Sequence, residues 1–141
     1  MRVLAVDPGK TCGCALWEDG QLTKAGQCSW GALAVWAEEV VPMLDELVCE
    51  DFRVGPQTLK TGGDWRHPTA AIGVLRYWCE KAGVPFVLQQ PAEAKSFSSD
   101  ARLRALGWYH PSRGGHANDA LRHLVLRLAT LGELPLSTLV E

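Results

Sequence analysis

The 141-residue chain lacks several features that would assign its class quickly. No apolar run approaches the roughly 18 residues that cross a bilayer, and the first apolar stretch breaks at Asp7, too early for a secretory signal. An intracellular, cytoplasmic protein without a membrane partner is expected. Low-complexity tracts and internal repeats are missing too, and a composition 47% hydrophobic and 21% charged is that of a folded chain, here read as one domain over residues 1–141. The five cysteines include no CxxC pair and are odd in number, which suits core packing in a reducing compartment rather than a disulfide framework. Cys12, Cys14 and Cys28 lack the tight ligand pairs of a structural zinc site. Positive charge is not in surplus: 14 Lys+Arg against 16 Asp+Glu leave a net charge of -2, which argues against a simple polyanion binder. "PGKTCG" is not a phosphate-binding loop, because Leu4 stands where its first glycine is needed, so no nucleotide cofactor is expected.

What is present is unevenly placed. Residues 1–51 carry 3 Lys+Arg and 9 Asp+Glu, whereas residues 52–127 carry 11 and 5. Such a division fits a carboxylate site for cations beside a basic surface for phosphates. "RVLAV" is a short buried-strand run stopped by Pro-Gly, and "CGCALW" and "LTKAGQCSW" flank the turn "EDGQ", so the first thirty residues predict a three-stranded antiparallel meander. A helix follows in "WGALAVWAEEVVPMLDEL", with Pro42 as a kink or break, then a strand in "ELVCEDF" that ends at Glu50. Residues 53–68 read as a loop punctuated by Gly and Pro. Beyond it the pattern predicts a helix in "HPTAAIGVLRYWCEKAG", a strand in "VPFVLQQ", short helical turns in "PAEAKSF" and "SSDARLRALGW", and an amphipathic helix from "HANDALRH" to Gly132. The resulting order is an α/β, RNase H-like mixed sheet, a meander plus parallel strands flanked by helices.

Three acids stand out by position: Asp7 ends the first strand, Glu50 ends the fourth, and Asp119 opens the last helix. If those two strands are parallel neighbours, both carboxylates reach one sheet edge, where their repulsion demands a cation. Oxygen ligands suit magnesium or manganese, and two such ions about 4 Å apart hold the attacking and leaving oxygens of a phosphodiester. His116, Asp119 and His123 recur at i, i+3 and i+7 and share one helix face.

"VLAVDPGKTCGCALW", "LVCEDF", the P-x-x-x-K of "QQPAEAK" and "GGHANDALRH" together resemble the RuvC-type Holliday junction resolvases, especially their short phage-encoded branch. The match runs in order over about residues 2 to 127. It implies a crossover junction endodeoxyribonuclease that hydrolyses DNA with two Mg2+ or Mn2+ ions per active site, in the cytoplasm of a bacterium or a phage-infected cell. By that resemblance Asp7, Glu50 and Asp119 are catalytic acids and metal ligands. His116 takes a fourth position that is an aspartate in many members, so it either ligates the metal or positions the attacking water. Lys95 matches a lysine near the scissile phosphate. Branched DNA, four-way junctions above all, is the implied partner, and a two-fold homodimer would make paired cuts.

Phosphate contacts are expected from Lys60, Arg66, Arg102, Arg104 and Arg113, and stacking on unpaired bases from Phe52 and Trp65. The stripe Ala71, Val74, Leu75 and Trp78 fits either a partner helix or the chain's own sheet. Two other readings stay open: an RNase H-like nuclease acting on RNA or an RNA-DNA hybrid, and an inactive module that binds branched DNA.

Overall fold

Val3, Leu4, Ala5 and Val6 are all fully buried, because β1 (Arg2–Asp7) lies at the centre of a sheet covered on both faces. A computed structural model describes residues 1–62 and 64–135. β1 pairs antiparallel with β2 (Thr11–Glu18), which pairs antiparallel with β3 (Gln21–Ser29); on its other side β1 runs parallel to β4 (Glu46–Glu50), and β4 parallel to β5 (Phe86–Gln89). The sheet order is β3-β2-β1-β4-β5. This is the mixed sheet that the sequence predicts, with the fourth strand beside the first.

Alternation along the strands divides the core in two. Leu4, Val6, Leu47 and Cys49 pack beneath α1 (Trp30–Val40) and α3 (Arg66–Ala82), which add Leu33, Ala37, Ala71, Leu75 and Cys79. Val3, Ala5, Ala15 and Val48 point the other way, onto Ala120, Leu121, Leu124 and Leu128 of α6 (His116–Leu131). α4 (Pro91–Phe97) and α5 (Asp100–Ala105) flank α6, and Leu103 closes that second core.

Several expectations are refined. The helix after β3 ends at Val40, where Pro42 enforces a 3-10 turn over Val41–Met43 and Leu44 turns extended. The segment read as a loop contains α2 (Pro56–Thr61), started by a proline at its first turn and ended by Gly62 with φ 66°. Gly63 of that segment lies outside the described residues. Three of the four α3 stripe residues pack within this chain: Ala71 and Leu75 are in the first core, and Trp78 packs against it and donates from its indole N–H to the Ala34 carbonyl of α1 at 3.1 Å, whereas Val74 joins neither core cluster. All five cysteines are free and four are buried. Among the described residues no helix is long and apolar enough to cross a membrane.

Candidate active site

β1 and β4 run side by side with Val6 opposite Cys49, so each releases its last residue, Asp7 and Glu50, at the same end of the sheet. Parity fixes the face. Asp7 follows Ala5, and Glu50 follows Val48, both of which face α6. Gln89 lies opposite Glu50 on β5 and follows Val87 onto that face.

Five residues bring the start of α6 to the same place. Gly114 and Gly115 both hold positive φ, 85° and 74°, a turn that L side chains rarely adopt. A Cβ on Gly13 of β2 would stand 1.8 Å from the His116 carbonyl oxygen, so the helix start rests directly on a strand that only glycine leaves bare. Gly115 offers no side-chain cap; Gln27 of β3 supplies one, its Oε1 accepting from the backbone N–H of His116 at 3.0 Å and of Ala117 at 3.3 Å. Asn118 anchors the incoming loop, pairing with both the N–H and the carbonyl of His110 at 2.8 Å.

Each of the three acids then has one nitrogen partner. Nδ1 of His116 meets Oδ2 of Asp7 at 3.0 Å, Nε2 of His123 meets Oε2 of Glu50 at 3.0 Å, and Nη1 of Arg122 donates to Oδ1 of Asp119 at 2.7 Å. Arg122 also reaches the Ser98 carbonyl and Asp100, which ties the α4–α5 corner to the same helix. The second oxygen of each carboxylate has no hydrogen-bond partner among the described residues. Asp7, only 7% exposed, has its carboxyl pushed up to about 7. Burial is the largest cause, followed by the charge of Glu50, with Asp119 adding to it; the bond to His116 works in the opposite direction.

Among the described residues no group of three or more His, Cys, Asp or Glu side chains is arranged to hold a metal ion. The donor chemistry nonetheless fits a hard divalent cation. Carboxylate oxygens gather at one sheet end: burial first, and then the negative charges of Glu50 and Asp119, raise the Asp7 carboxyl, and a cation would relieve that repulsion.

No protein-family model matches the chain, and no curated protein matches it. Solved structures do. RuvC of Thermus thermophilus in complex with Holliday junction substrate superposes with a TM-score of 0.69 at 18% identity, covering 94% of this chain and 97% of that one. A second Thermus thermophilus RuvC structure gives 0.68 at 18% identity, covering 94% and 98%. The fold is that of RuvC. Four short motifs already resemble the RuvC-type resolvases, and the likeness in three dimensions now extends over nearly the whole chain.

The other candidates lie on α2, α4 and α5, just past β4, and at the starts of α3 and α6. Lys95 is exposed on α4, and among the described residues no hydrogen bond or ion pair links it to the acids. Phe52 is half-buried just past β4, and Trp65 is 37% exposed before α3; neither belongs to a core cluster. Trp65 and Arg66 line a cleft of about 430 Å3 with Thr58, Leu59, Gly62 and Asp64, and Lys60 is exposed on α2 beside it. Arg104 is exposed on α5 with its guanidinium 3.8 Å from the Tyr109 ring centroid, and Arg113 is exposed before Gly114. Arg102 is half-buried instead, bonded to the Phe97 carbonyl and stacked on its ring.

Sequence reasoning passes over Gly13, Gln27, Gln89 and Asn118, and sets His123 on the helix face shared with His116 and Asp119 without naming its partners. Their roles depend on strand register and on contacts across more than seventy residues in the case of Gln27 and His123. Only Gly13 carries a local signal, a glycine inside an otherwise apolar strand.

Proposed function

We propose that this chain is a metal-dependent, structure-selective endodeoxyribonuclease that cuts four-way DNA junctions. The observation that carries the reading is Asp7, a buried carboxyl raised to about 7 beside Glu50 and Asp119, at the strand ends of a sheet with the RuvC fold. A chain with no use for a cation at that position would gain stability by replacing one of these acids. The solved neighbour bound to Holliday junction substrate supports branched DNA as the partner class.

In this reading Asp7, Glu50 and Asp119 hold the metal through the oxygens that their nitrogen partners leave open. Two Mg2+ or Mn2+ ions, when bound, supply charge compensation at the phosphate and a more acidic water. His116 keeps the Asp7 carboxylate in one orientation and serves as the base for a proton leaving the nucleophile. Lys95 contacts the scissile phosphate once DNA is bound. Lys60, Arg66, Arg102, Arg104 and Arg113 bind flanking phosphates, and Phe52 and Trp65 stack on bases at the branch point. A homodimer places two such sites on the two-fold junction, within a bacterial or phage-infected cytoplasm.

The test is cleavage of a synthetic four-way junction in Mg2+ or Mn2+, run beside flap, duplex and RNA-DNA hybrid substrates. Junction nicking that is strongest among these and absent in Asp7→Asn is the expected result. Preferential cutting of the hybrid points to an RNase H-like enzyme, and binding without cutting in either metal to an inactive junction-binding module; both overturn the proposal. Replacing His116 by Asp should shift the preferred metal toward Mg2+, and an unmoved preference removes His116 from the site.

A further inference from the structure

We propose that His123 is a positioning residue for Glu50, committing one carboxylate oxygen so that the other is presented to the cation; this rests on the nuclease reading above. His123 is 1% exposed, yet it is not a histidine that merely fills space. Its ring links two polar side chains from adjacent parallel strands: Nε2 to Oε2 of Glu50 at 3.0 Å, and Nδ1 to Oε1 of Gln89 at 2.9 Å. Glu50 and Gln89 are register partners in the β4–β5 ladder, so strand pairing sets the distance the imidazole must span.

The direction of the relay follows from donor and acceptor chemistry. An ionised carboxylate only accepts, so the nitrogen facing Glu50 carries the proton. The amide of Gln89 can present either end to Nδ1, and so holds the ring plane without dictating its protonation. Gln89 is itself only 8% exposed, which leaves the ring little freedom to swing away. Oε2 of Glu50 is thereby occupied by protein, and Oε1 is the oxygen left for a metal. Elsewhere, partners of this kind to metal ligands change metal affinity by about 10- to 100-fold when removed.

Calorimetric titration of the free, full-length protein with Mn2+ tests the role without relying on cleavage. His123→Leu keeps the bulk and removes the donor; its Mn2+ dissociation constant is expected to rise about tenfold or more, with recovery in His123→Gln, which restores an N–H. Gln89→Leu keeps the imidazole but frees it, and should weaken Mn2+ binding in the same direction by less. A purely structural role would lower the melting temperature and leave Mn2+ affinity unchanged. A folded His123→Leu that binds Mn2+ like the wild type overturns the proposal; should that variant fail to fold, unchanged binding by Gln89→Leu overturns it instead. Glu50→Gln separates the two levels: if it too leaves Mn2+ affinity intact, the metal reading of the site is at fault, whereas weak binding by Glu50→Gln with normal binding by His123→Leu refutes only the positioning role.

Discussion

The sheet end at Asp7 and the segment from Asp51 to Arg66 are adjacent along the chain at Glu50, but they are held by different kinds of contact. At the sheet end the polar groups are joined across large sequence distances: Asp7 to His116, Gln27 to His116 and Ala117, Glu50 to His123. Among the described residues of the second region the bonds are mostly local, from Thr61 to Gln57, Gly55 to Thr58 and Arg66 to Asp64, and Val54, Leu59 and Trp65 lie exposed. A network closed by distant partners is fixed before any ligand arrives. A segment held by its own neighbours, with apolar and basic groups facing water, is a surface that can adapt to one. Substitutions in the first region should therefore affect chemistry and folding together, and those in the second should affect binding alone.

The largest effect is expected from Asp7→Asn. Losing a charged ligand removes several kcal/mol of transition-state stabilisation, so junction cutting should fall about a thousandfold or more. Stability should move the other way. The Asp7 carboxyl titrates at 3.8 when unperturbed and at about 7 in the fold, so the folded state holds the extra proton between those values and stability declines as pH rises through that window. Asparagine carries no charge to bury. At pH 8 the variant should therefore be more stable by roughly 2 to 4 kcal/mol, with the gain fading toward pH 4. Thermal melts across pH check the sign, and a variant less stable at pH 8 would remove the electrostatic account of Asp7.

Next in size is Gly13→Ala. Its Cβ would fall on the His116 carbonyl, so the start of α6 must shift, at a cost of about 1 to 3 kcal/mol or more. His116 then leaves Asp7, and cutting should drop at metal concentrations that saturate the wild type. Gln27→Ala removes only the cap and should cost about 1 kcal/mol in a denaturant melt. If both variants keep wild-type activity, the sheet end is less rigidly built than its long-range bonds indicate.

How much of this was legible in the sequence follows the same division. Strand ends, the meander and the last helix could be read because apolar runs, the "EDGQ" turn and Gly132 are local signals, and so could Asp7, Glu50 and Asp119, which end or open those elements. The RuvC fold was legible because its motifs sit at those same boundaries. Gln27 and Gln89 were not, since a glutamine on a strand has no local mark of what it will cap or hold. α2 was missed because six residues with little apolar periodicity look like loop, though Pro56 and Gly62 bracket it. The partner of Asp119 was hidden for another reason: Arg122 lies only three residues away, and an i, i+3 pair in sequence reads equally well as a solvated surface contact.

The smallest effects should come from the exposed segment, and they sharpen the contrast. Trp65→Ala touches neither core cluster, so its melting should stay within about 0.5 kcal/mol of wild type. Junction affinity should nevertheless fall, by about 1 to 3 kcal/mol if the indole stacks on a base. Lys60→Ala is the finer probe, because an exposed lysine on α2 that meets a phosphate releases one counterion on binding. The slope of log affinity against log salt should become shallower by about 1, equally for junctions of different sequence. Binding measured by anisotropy in Ca2+ or EDTA, between low and moderate salt, separates this from any catalytic effect. A Lys60→Ala slope equal to the wild type would take Lys60 out of the DNA interface and leave binding on this side of the molecule to Trp65 and Arg66 in the cleft.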